Sequence, residues 1–527
     1  MSTAAVLEFT PSPQQQAVFD WVSKGRGSAF IEAVAGAGKT TTLIHALRLT
    51  TGTVAFAAYN RKIADEIKAK LIAMGLKFDG WKFEGRLVVN TFHGFGYGAW
   101  RYVHKTVNNN GKLSPEDAGK EKSQRTRALF RTRNYPEGLD FFALKLISLA
   151  KNNAVGLGLD VNDRSVWYDI VDHYDLAYEL DSDDPACTVE AGIEAAIEGL
   201  KFHISIAKEL CDFDDMIFMP VISGIRMWQN DWVFTDEAQD TNRARRALAR
   251  KMLKPSGRSA WVGDRHQAIY GFAGADNDAI DQIIHDFKCV TLPLTVTYRC
   301  PQTVVAEAQT IVNHIEAHPS APQGEVSTLA FVDFNKLNDF SATDAILCRK
   351  TKPLVSAAYS LLRRGIACHV EGKEIGQGLV ALVTRWKKIK TIEALRNKLE
   401  KFADEECQKL IAKGKETQAE ALRDRVDTVI VIMDSVPPAT TIDELRNKIK
   451  SMFTDSNDEA VPTLTLSTVH KSKGREWPRV FILGRQDFMP SPFARQAWQQ
   501  EQENNLIYVA ITRSQDRLVY INGVPKE

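Results

Sequence analysis

The sequence predicts an α/β protein built on parallel, doubly wound sheets. Three observations carry that expectation. "FIEAVAGAGKTTTL", Phe30 to Leu43, runs from an apolar strand through a cluster of small residues into a helical pattern. "DWVFTDEAQD" (231–240) holds a second apolar run, Trp232 to Thr235, that ends in carboxylates. Open parallel sheets bind their ligands outside the carboxyl ends of the strands, where both of these runs stop. The chain is also long. At about 100–200 residues per domain, 527 residues imply three or four units rather than one core.

Composition narrows the class. Hydrophobic residues make up 44% and charged residues 25%, and mean hydropathy is −0.24, as in a globular protein. No run approaches the roughly 20 apolar residues that span a bilayer, so no membrane partner is expected. The opening "MSTAAVLEFTPS" lacks a basic stretch followed by an apolar one, so no secretory leader is expected. Seven cysteines are scattered without a C-x-x-C pair, which argues for a reducing, cytoplasmic setting and against a zinc ribbon or disulfide frame. Net charge is only +1, so a nucleic-acid binder would need its positive charge to be local. "KEKSQRTRALFRTR" (120–133) and "TRWKKIKTIEALRNKLEK" (384–401) are such stretches, although a solvated helix face explains either one alone.

The first element reads as a strand ending near Glu32, a glycine loop, and a helix over Thr40–Leu49 with Leu43 and Leu47 in helical spacing. That context makes it a phosphate-binding loop. Gly36 and Gly38, with Ala35 and Ala37, let backbone N–H groups turn toward phosphate oxygens at the start of the helix. Lys39 is expected to neutralise the β- and γ-phosphates, with Thr40 ligating Mg²⁺ and Thr41 beside it. Ala33 stands where the strict pattern has glycine, and its small side chain still permits the turn. In the second element Asp236 suits the Mg²⁺ shell, and Glu237 is placed to orient or deprotonate the attacking water. ATP and Mg²⁺ are therefore the expected substrate and cofactor.

Further stretches follow in a fixed order: "FTPSPQQQAVFDW", "VAFAAYNRKIADEI", "VNTFHGFGYGAW", "WVGDRHQAIYGFAGAD", "LPLTVTYRCPQTV", "LTLSTVHKSKGREWPRVFIL" and "ENNLIYVAITRSQDRLVYI". With the two elements above, this series resembles the motifs of superfamily 1 helicases of the UvrD/Rep type, from about Gln14 to Arg517. "AAYNRKIADEI", "TFHGFGYGAWR" and "VHKSKGREW" are nearest in wording to the F-box DNA helicase branch, in a compact form.

The resemblance implies roles residue by residue. Gln14 would read the adenine edge, with Gln15 as a substitute. Asn60, Arg61, Thr91, Phe92 and His93 would contact single-stranded DNA. Gln267 would sense the γ-phosphate, while Tyr270 and Phe272 face DNA, Phe272 by stacking on a base. Relatives usually have arginine where this chain has Ala273, which leaves the link between hydrolysis and strand grip to other residues. Tyr298 would stack on adenine, and Arg299 and Arg513 would reach the γ-phosphate, Arg513 as an arginine finger. Thr468 and His470 would touch DNA, and Gly474 and Glu476 would lie near the nucleotide. Tyr508 reads as packing or DNA contact.

The implied architecture is two RecA-like P-loop NTPase lobes, each interrupted by a mainly helical insertion. The expected segments are 1–98 and 206–288 for the first lobe, with insertion 99–205. The second lobe is expected at 289–380 and 462–527, with a reduced insertion at 381–461. The implied function is an ATP-dependent 3′→5′ DNA helicase acting on single-stranded and tailed duplex DNA. The alternative is a DNA-stimulated ATPase switch serving a partner nuclease, replication or repair protein. Nucleoid association would follow for a bacterial or viral source.

Overall fold

A computed structural model describes residues 10–174, 176–180, 184–271, 278–386, 389–412, 416–437, 441–454, 463–492, 494 and 496–525. By their contacts these form two units, Met1–Ala33 with Gly38–Leu294, and Val34–Ala37 with Thr295–Glu527. Each unit is α/β around a parallel sheet, as the sequence predicts, and the two are RecA-like lobes.

The first unit's sheet has six strands: β1 (Ala29–Ala33), β2 (Val54–Ala58), β3 (Leu87–Thr91), β4 (Asn230–Thr235), β5 (Leu253–Gly263) and β6 (Val290–Leu294). Their order is β3-β2-β4-β5-β1-β6, and every pairing is parallel. Strand β2 is buried along its whole length, as expected of a strand covered on both faces. Helix Pro13–Lys24 opens the unit with Ser12 and Gln15 in a capping box. Its C-terminal carbonyls are satisfied from far away in sequence. Arg258 donates to Trp21 O (2.8 Å), Val22 O (3.0 Å) and Gly27 O (3.0 Å). The same guanidinium lies over the rings of Trp21 and Trp232, 4.5 and 4.2 Å from their centroids.

The expected lobe boundary at 288/289 falls one strand too early. Val290–Leu294 pairs along β1 and completes the first sheet. A short apolar run beside the next motif gives no local sign of which sheet it joins, because pairing partners are set at long range.

The first insertion is helical, as expected, with helices at Pro115–Thr132, Asp140–Asn152, Arg164–His173 and Val189–Ile206. Trp100, Phe130, Phe142, Leu146 and Trp167 close a core of its own. Helix Phe213–Ile222 joins it to the sheet: Met216, Phe218 and Met219 enter the insertion's core, while Ile217 and Val221 enter the core beside the sheet. This helix crosses helix Phe92–Val103 at Gly96, where a Cβ would meet the Met216 carbonyl oxygen at 1.9 Å. Most of the basic run 120–133 is a solvated face, and its arginines carry acidic partners rather than forming an open patch. Arg125 pairs with Glu121 and Glu209, Arg127 with Asp140, Arg131 with Glu137 and Arg133 with Glu198. Lys122 is wholly buried and paired with Asp215, and Lys151 lies 2.7 Å from the same carboxylate.

In the second unit β7 (Val296–Thr297) and β8 (Glu316–Ala317) make a small parallel pair. The main sheet contains β9 (Glu325–Ala330), β10 (Ala345–Cys348), β11 (Cys368–Glu371), β12 (Phe453–Thr454), β13 (Leu464–Thr468), β14 (Trp477–Leu483) and β15 (Ser514–Asn522). Its order is β12-β11-β13-β10-β14-β15-β9. The reduced insertion supplies helices Ile392–Ala412, Glu416–Asp434 and Ile442–Met452, and it ends in β12, which pairs with β11. It is therefore not a separate body. Leu395, Leu399, Val426, Val429 and Ile449 share one core cluster with the sheet residues Ile346, Val370, Leu466 and Phe481. Asp424 accepts from Thr351 N and Lys352 N, 2.9 Å each, and so caps helix Thr351–Arg363 from within the insertion.

Candidate nucleotide site and nucleic-acid surface

Strands β4, β5 and β1 are neighbours, so their carboxyl ends deliver three segments to one edge of the first sheet. Strand β1 leads into the glycine loop. Gly36 and Gly38 have φ of 74° and 75°, the left-handed region open to glycine at little cost. Gly38 caps helix Lys39–Arg48, so the helix's first N–H groups face the loop.

Strand β4 ends at Thr235, and the acids follow. The Thr40 hydroxyl donates to Asp236 Oδ2 (2.7 Å), and Lys39 Nζ lies 3.5 Å from Glu237 Oε1. Burial, and then the Glu237 charge, push the Asp236 carboxyl up to about 6, against the opposing pull of Lys39 and Thr40. Two close carboxylates beside a threonine hydroxyl are the donor set that a hard divalent cation favours, so these residues fit Mg²⁺. Glu237 itself is held at φ 53°, ψ 46°, a backbone region sparsely populated by residues with a Cβ. Its carboxylate also accepts from Gln239 Nε2.

Strand β5 brings Asp264, whose Oδ2 accepts from Gln267 Nε2 at 2.7 Å; Gln239 Oε1 in turn accepts from Asp264 N at 3.1 Å. Burial raises the Asp264 carboxyl, and the Lys39 charge opposes the rise. Gln267 is thus tied by a chain of hydrogen bonds to Glu237. At the adenine end, the buried Gln15 donates to Thr42 Oγ1 (3.1 Å) on the phosphate-loop helix, a structural role, while Gln14 is half-exposed.

The nucleic-acid candidates of this unit lie beside the same edge. Asn60 caps helix Arg61–Ala73 by accepting from Ile63 N (2.9 Å), and Thr91 caps helix Phe92–Val103 by accepting from Gly94 N (3.0 Å). Arg61, Lys68, Asn90 and Thr91 line one cavity of about 300 Å³. His93 is held neutral, its pKa lowered to about 4 chiefly by burial. Phe92 is a correction. It is 1% exposed and packs in the core beside the sheet, so it presents no ring to a ligand. Phe272 and Ala273 lie outside the described residues. The sequence reading missed Lys68, Asn90 and Phe213. Phe213 is 51% exposed and meets the His93 ring edge-on at 6.0 Å, and a phenylalanine set among aspartates at a helix start was the available signal.

In the second unit Tyr298 is 47% exposed and lies 4.9 Å from the His318 ring. Arg299 pairs with Glu476, which also accepts from Gln515 Nε2 at 2.9 Å. Gly474, at φ 81°, turns the chain just before them. Arg513 is buried: its guanidinium donates to Val509 O (2.9 Å), Arg475 O (3.0 Å) and Thr512 Oγ1 (3.1 Å). Tyr508 is wholly buried too. Thr468 caps the short helix Val469–Ser472 after β13. The pKa of His470 is lowered to about 3 by burial and the Arg349 charge.

A helix whose first lysine and threonine meet paired acids at the carboxyl edge of a parallel sheet is the arrangement of the P-loop NTPase fold. The family model for the UvrD/REP helicase N-terminal domain matches residues 12–288, and that for the UvrD-like helicase C-terminal domain matches residues 463–521. The chain belongs to the UvrD/REP helicase family. It is 24% identical over 321 residues to a probable DNA helicase II homolog of Mycoplasma pneumoniae, covering 57% of this chain and 42% of that protein. It is 22% identical over 294 residues to DNA helicase II of Haemophilus influenzae, covering 54% of this chain and 38% of that protein. With ATP-dependent DNA helicase UvrD2 of Mycobacterium tuberculosis it shares 23% identity over 561 residues, covering 94% of this chain and 76% of that protein. Among the described residues no helix is long and apolar enough to cross a membrane.

Proposed function

We propose that the protein is an ATP-dependent DNA helicase that hydrolyses Mg-ATP and moves 3′→5′ on single-stranded DNA, opening tailed duplexes. The observation that carries this reading is the convergence of Lys39 and Thr40 on Asp236 and Glu237, in a chain whose family is that of UvrD and Rep.

Phosphoryl transfer needs positioning and charge stabilisation more than covalent chemistry. The loop amides and Lys39 would hold the β- and γ-phosphates, drawing the ammonium from Glu237. Glu237 then accepts a hydrogen bond from the attacking water and takes its proton. Thr40 and Asp236 would hold Mg²⁺, which when bound supplies charge neutralisation at the phosphate oxygens. Gln267 reports the γ-phosphate through Asp264. Gln14 and Tyr298 take the adenine, and Gly474 and Glu476 lie near the nucleotide. Arg299 exchanges Glu476 for phosphate. Arg513 completes the charge stabilisation, which for it requires release from its three internal acceptors. Asn60, Arg61, Thr91, His93, Tyr270, Phe272, Thr468 and His470 take the strand, through phosphate contacts and base stacking.

The test is unwinding of paired 3′-tailed and 5′-tailed duplexes beside DNA-stimulated ATPase. Lys39→Ala should abolish turnover, and Glu237→Gln should bind ATP without hydrolysing it. Turnover by Lys39→Ala near the wild-type rate removes the assignment. Strong stimulation without unwinding, restored by an added protein, would favour the ATPase switch for a nuclease, replication or repair partner.

A further inference from the structure

Helix Arg243–Lys251 begins six residues after Glu237 and has no part in the chemistry above. Its third residue, Arg245, touches two segments that the mechanism needs. The Nη1 group donates to the Asp240 carbonyl oxygen at 2.8 Å, at the end of the short turn that Glu237 opens. The guanidinium also lies over the Tyr59 ring, 5.0 Å from its centroid. Tyr59 in turn lies parallel to Tyr270, with ring centroids 6.5 Å apart and planes 6° apart. Tyr59 directly precedes Asn60 and Arg61, and Tyr270 lies three residues beyond Gln267.

The base of Arg245 is firmly fixed. Asn242 Oδ1 accepts from Arg245 N at 3.0 Å, and Asn242 Nδ2 donates to Asn152 Oδ1 of the first insertion at 2.7 Å. The side chain therefore bridges the Asp240 carbonyl and the Tyr59 ring from a fixed base. The electrostatics agree with the geometry: the charges of Asp240 and Glu237 bear on both tyrosines, and that of Arg245 bears on His93.

We propose that Arg245 is a positioning residue that couples DNA occupancy to hydrolysis. A strand on the Tyr270 surface shifts the Tyr59–Tyr270 pair, the guanidinium follows the Tyr59 ring, and the Asp240 carbonyl carries the change to the Glu237 turn. Glu237 is held at φ 53°, ψ 46°, a sparsely populated region for a residue with a Cβ, so a shift of that turn would relieve backbone strain. The inference rests on the DNA-dependent ATPase reading above.

The experiment compares wild type, Arg245→Ala and Tyr59→Leu as full chains. ATPase is measured with and without a single-stranded oligonucleotide of mixed sequence, together with melting temperature. Both variants should keep the melting temperature, the basal rate and the KM for ATP. The half-saturating oligonucleotide concentration should also hold, while maximal stimulation falls about tenfold, within the range such couplings span. A purely structural role would not lower stimulation alone. Full stimulation in both variants overturns the proposal, as does a raised half-saturating concentration with unchanged maximal stimulation, which marks a plain DNA contact. If Arg245→Ala does not fold, Tyr59→Leu decides by the same criteria. Wild-type ATPase without any response to DNA is a different result and defeats the functional reading itself.

Discussion

In the first insertion Trp100, Phe130, Phe142 and Trp167 close on one another, and Lys122, Lys151, Asp212 and Asp215 form an ionic knot at the base. In the second, Leu395, Leu399, Val426 and Ile449 lie in the same cluster as the sheet. Both are runs of helices spliced into a parallel sheet, yet one folds beside its lobe and the other is a layer of it. Size offers the physical reason. The fraction of surface a segment can bury falls as it shortens, and the second insertion buries its apolar residues in one cluster with the sheet. The longer one closes its own core and needs a fixed attachment, which the ionic knot and the crossing at Gly96 supply.

The largest effect should come from breaking that attachment. Lys122→Ala takes from the buried Asp215 one of its two ammonium partners, leaving Lys151 at 2.7 Å, and should cost on the order of 3 kcal/mol in urea unfolding. Lys122→Met with Asp215→Leu should restore most of the loss. Next, paired core truncations test independence. Phe142→Ala should cost about 3–5 kcal/mol and Leu399→Ala about 2–5 kcal/mol. Hydrogen exchange separates them: the first should speed exchange within 99–205 and spare β1 and β5, whereas the second should speed it through β10, β11 and β13. Equal loss in both sheets would erase the distinction.

Acid should strain the first unit at His93, beside the joining helix. With its folded pKa lowered to about 4, His93 stays neutral when folded, while the unfolded chain takes up a proton below about 6.5. The unfolded state therefore binds more protons between those values, so stability present at pH 7 is lost as pH falls through 6.5 toward 4. With screening discounted the loss should be on the order of 2 kcal/mol, and His93→Gln should flatten it. The smallest effect is expected at Asp424→Asn, which weakens one helix cap and should lower the second unit's stability by about 1 kcal/mol. A larger loss would mean that the cap, rather than the apolar contact, holds the second insertion.

The meeting of Lys39 and Thr40 with Asp236 and Glu237 was legible because each half is local in sequence. A glycine loop, a lysine and a threonine in sequence fix one half, and two acids after an apolar run fix the other. What escaped was set at long range. Lys122 sits in a run that looks solvated, yet its partner Asp215 is 93 residues away. Phe92 and His93 are adjacent aromatic rings, and the helix's orientation puts the first wholly in the core while the second stays half-buried. Val290–Leu294 gave no sign of its sheet, and the helical periodicity of 381–461 was plain while the surface it packs against was not.

Strand β12 is two residues long and stands at the outer edge of the second sheet, contributed by the insertion itself. Cutting that insertion out would do more than remove helices. It would bare the backbone donors and acceptors of β11 at Val370 and Glu371, which β12 pairs, an open edge onto which another copy could add a strand. A shortened form of this protein should therefore fail by self-association.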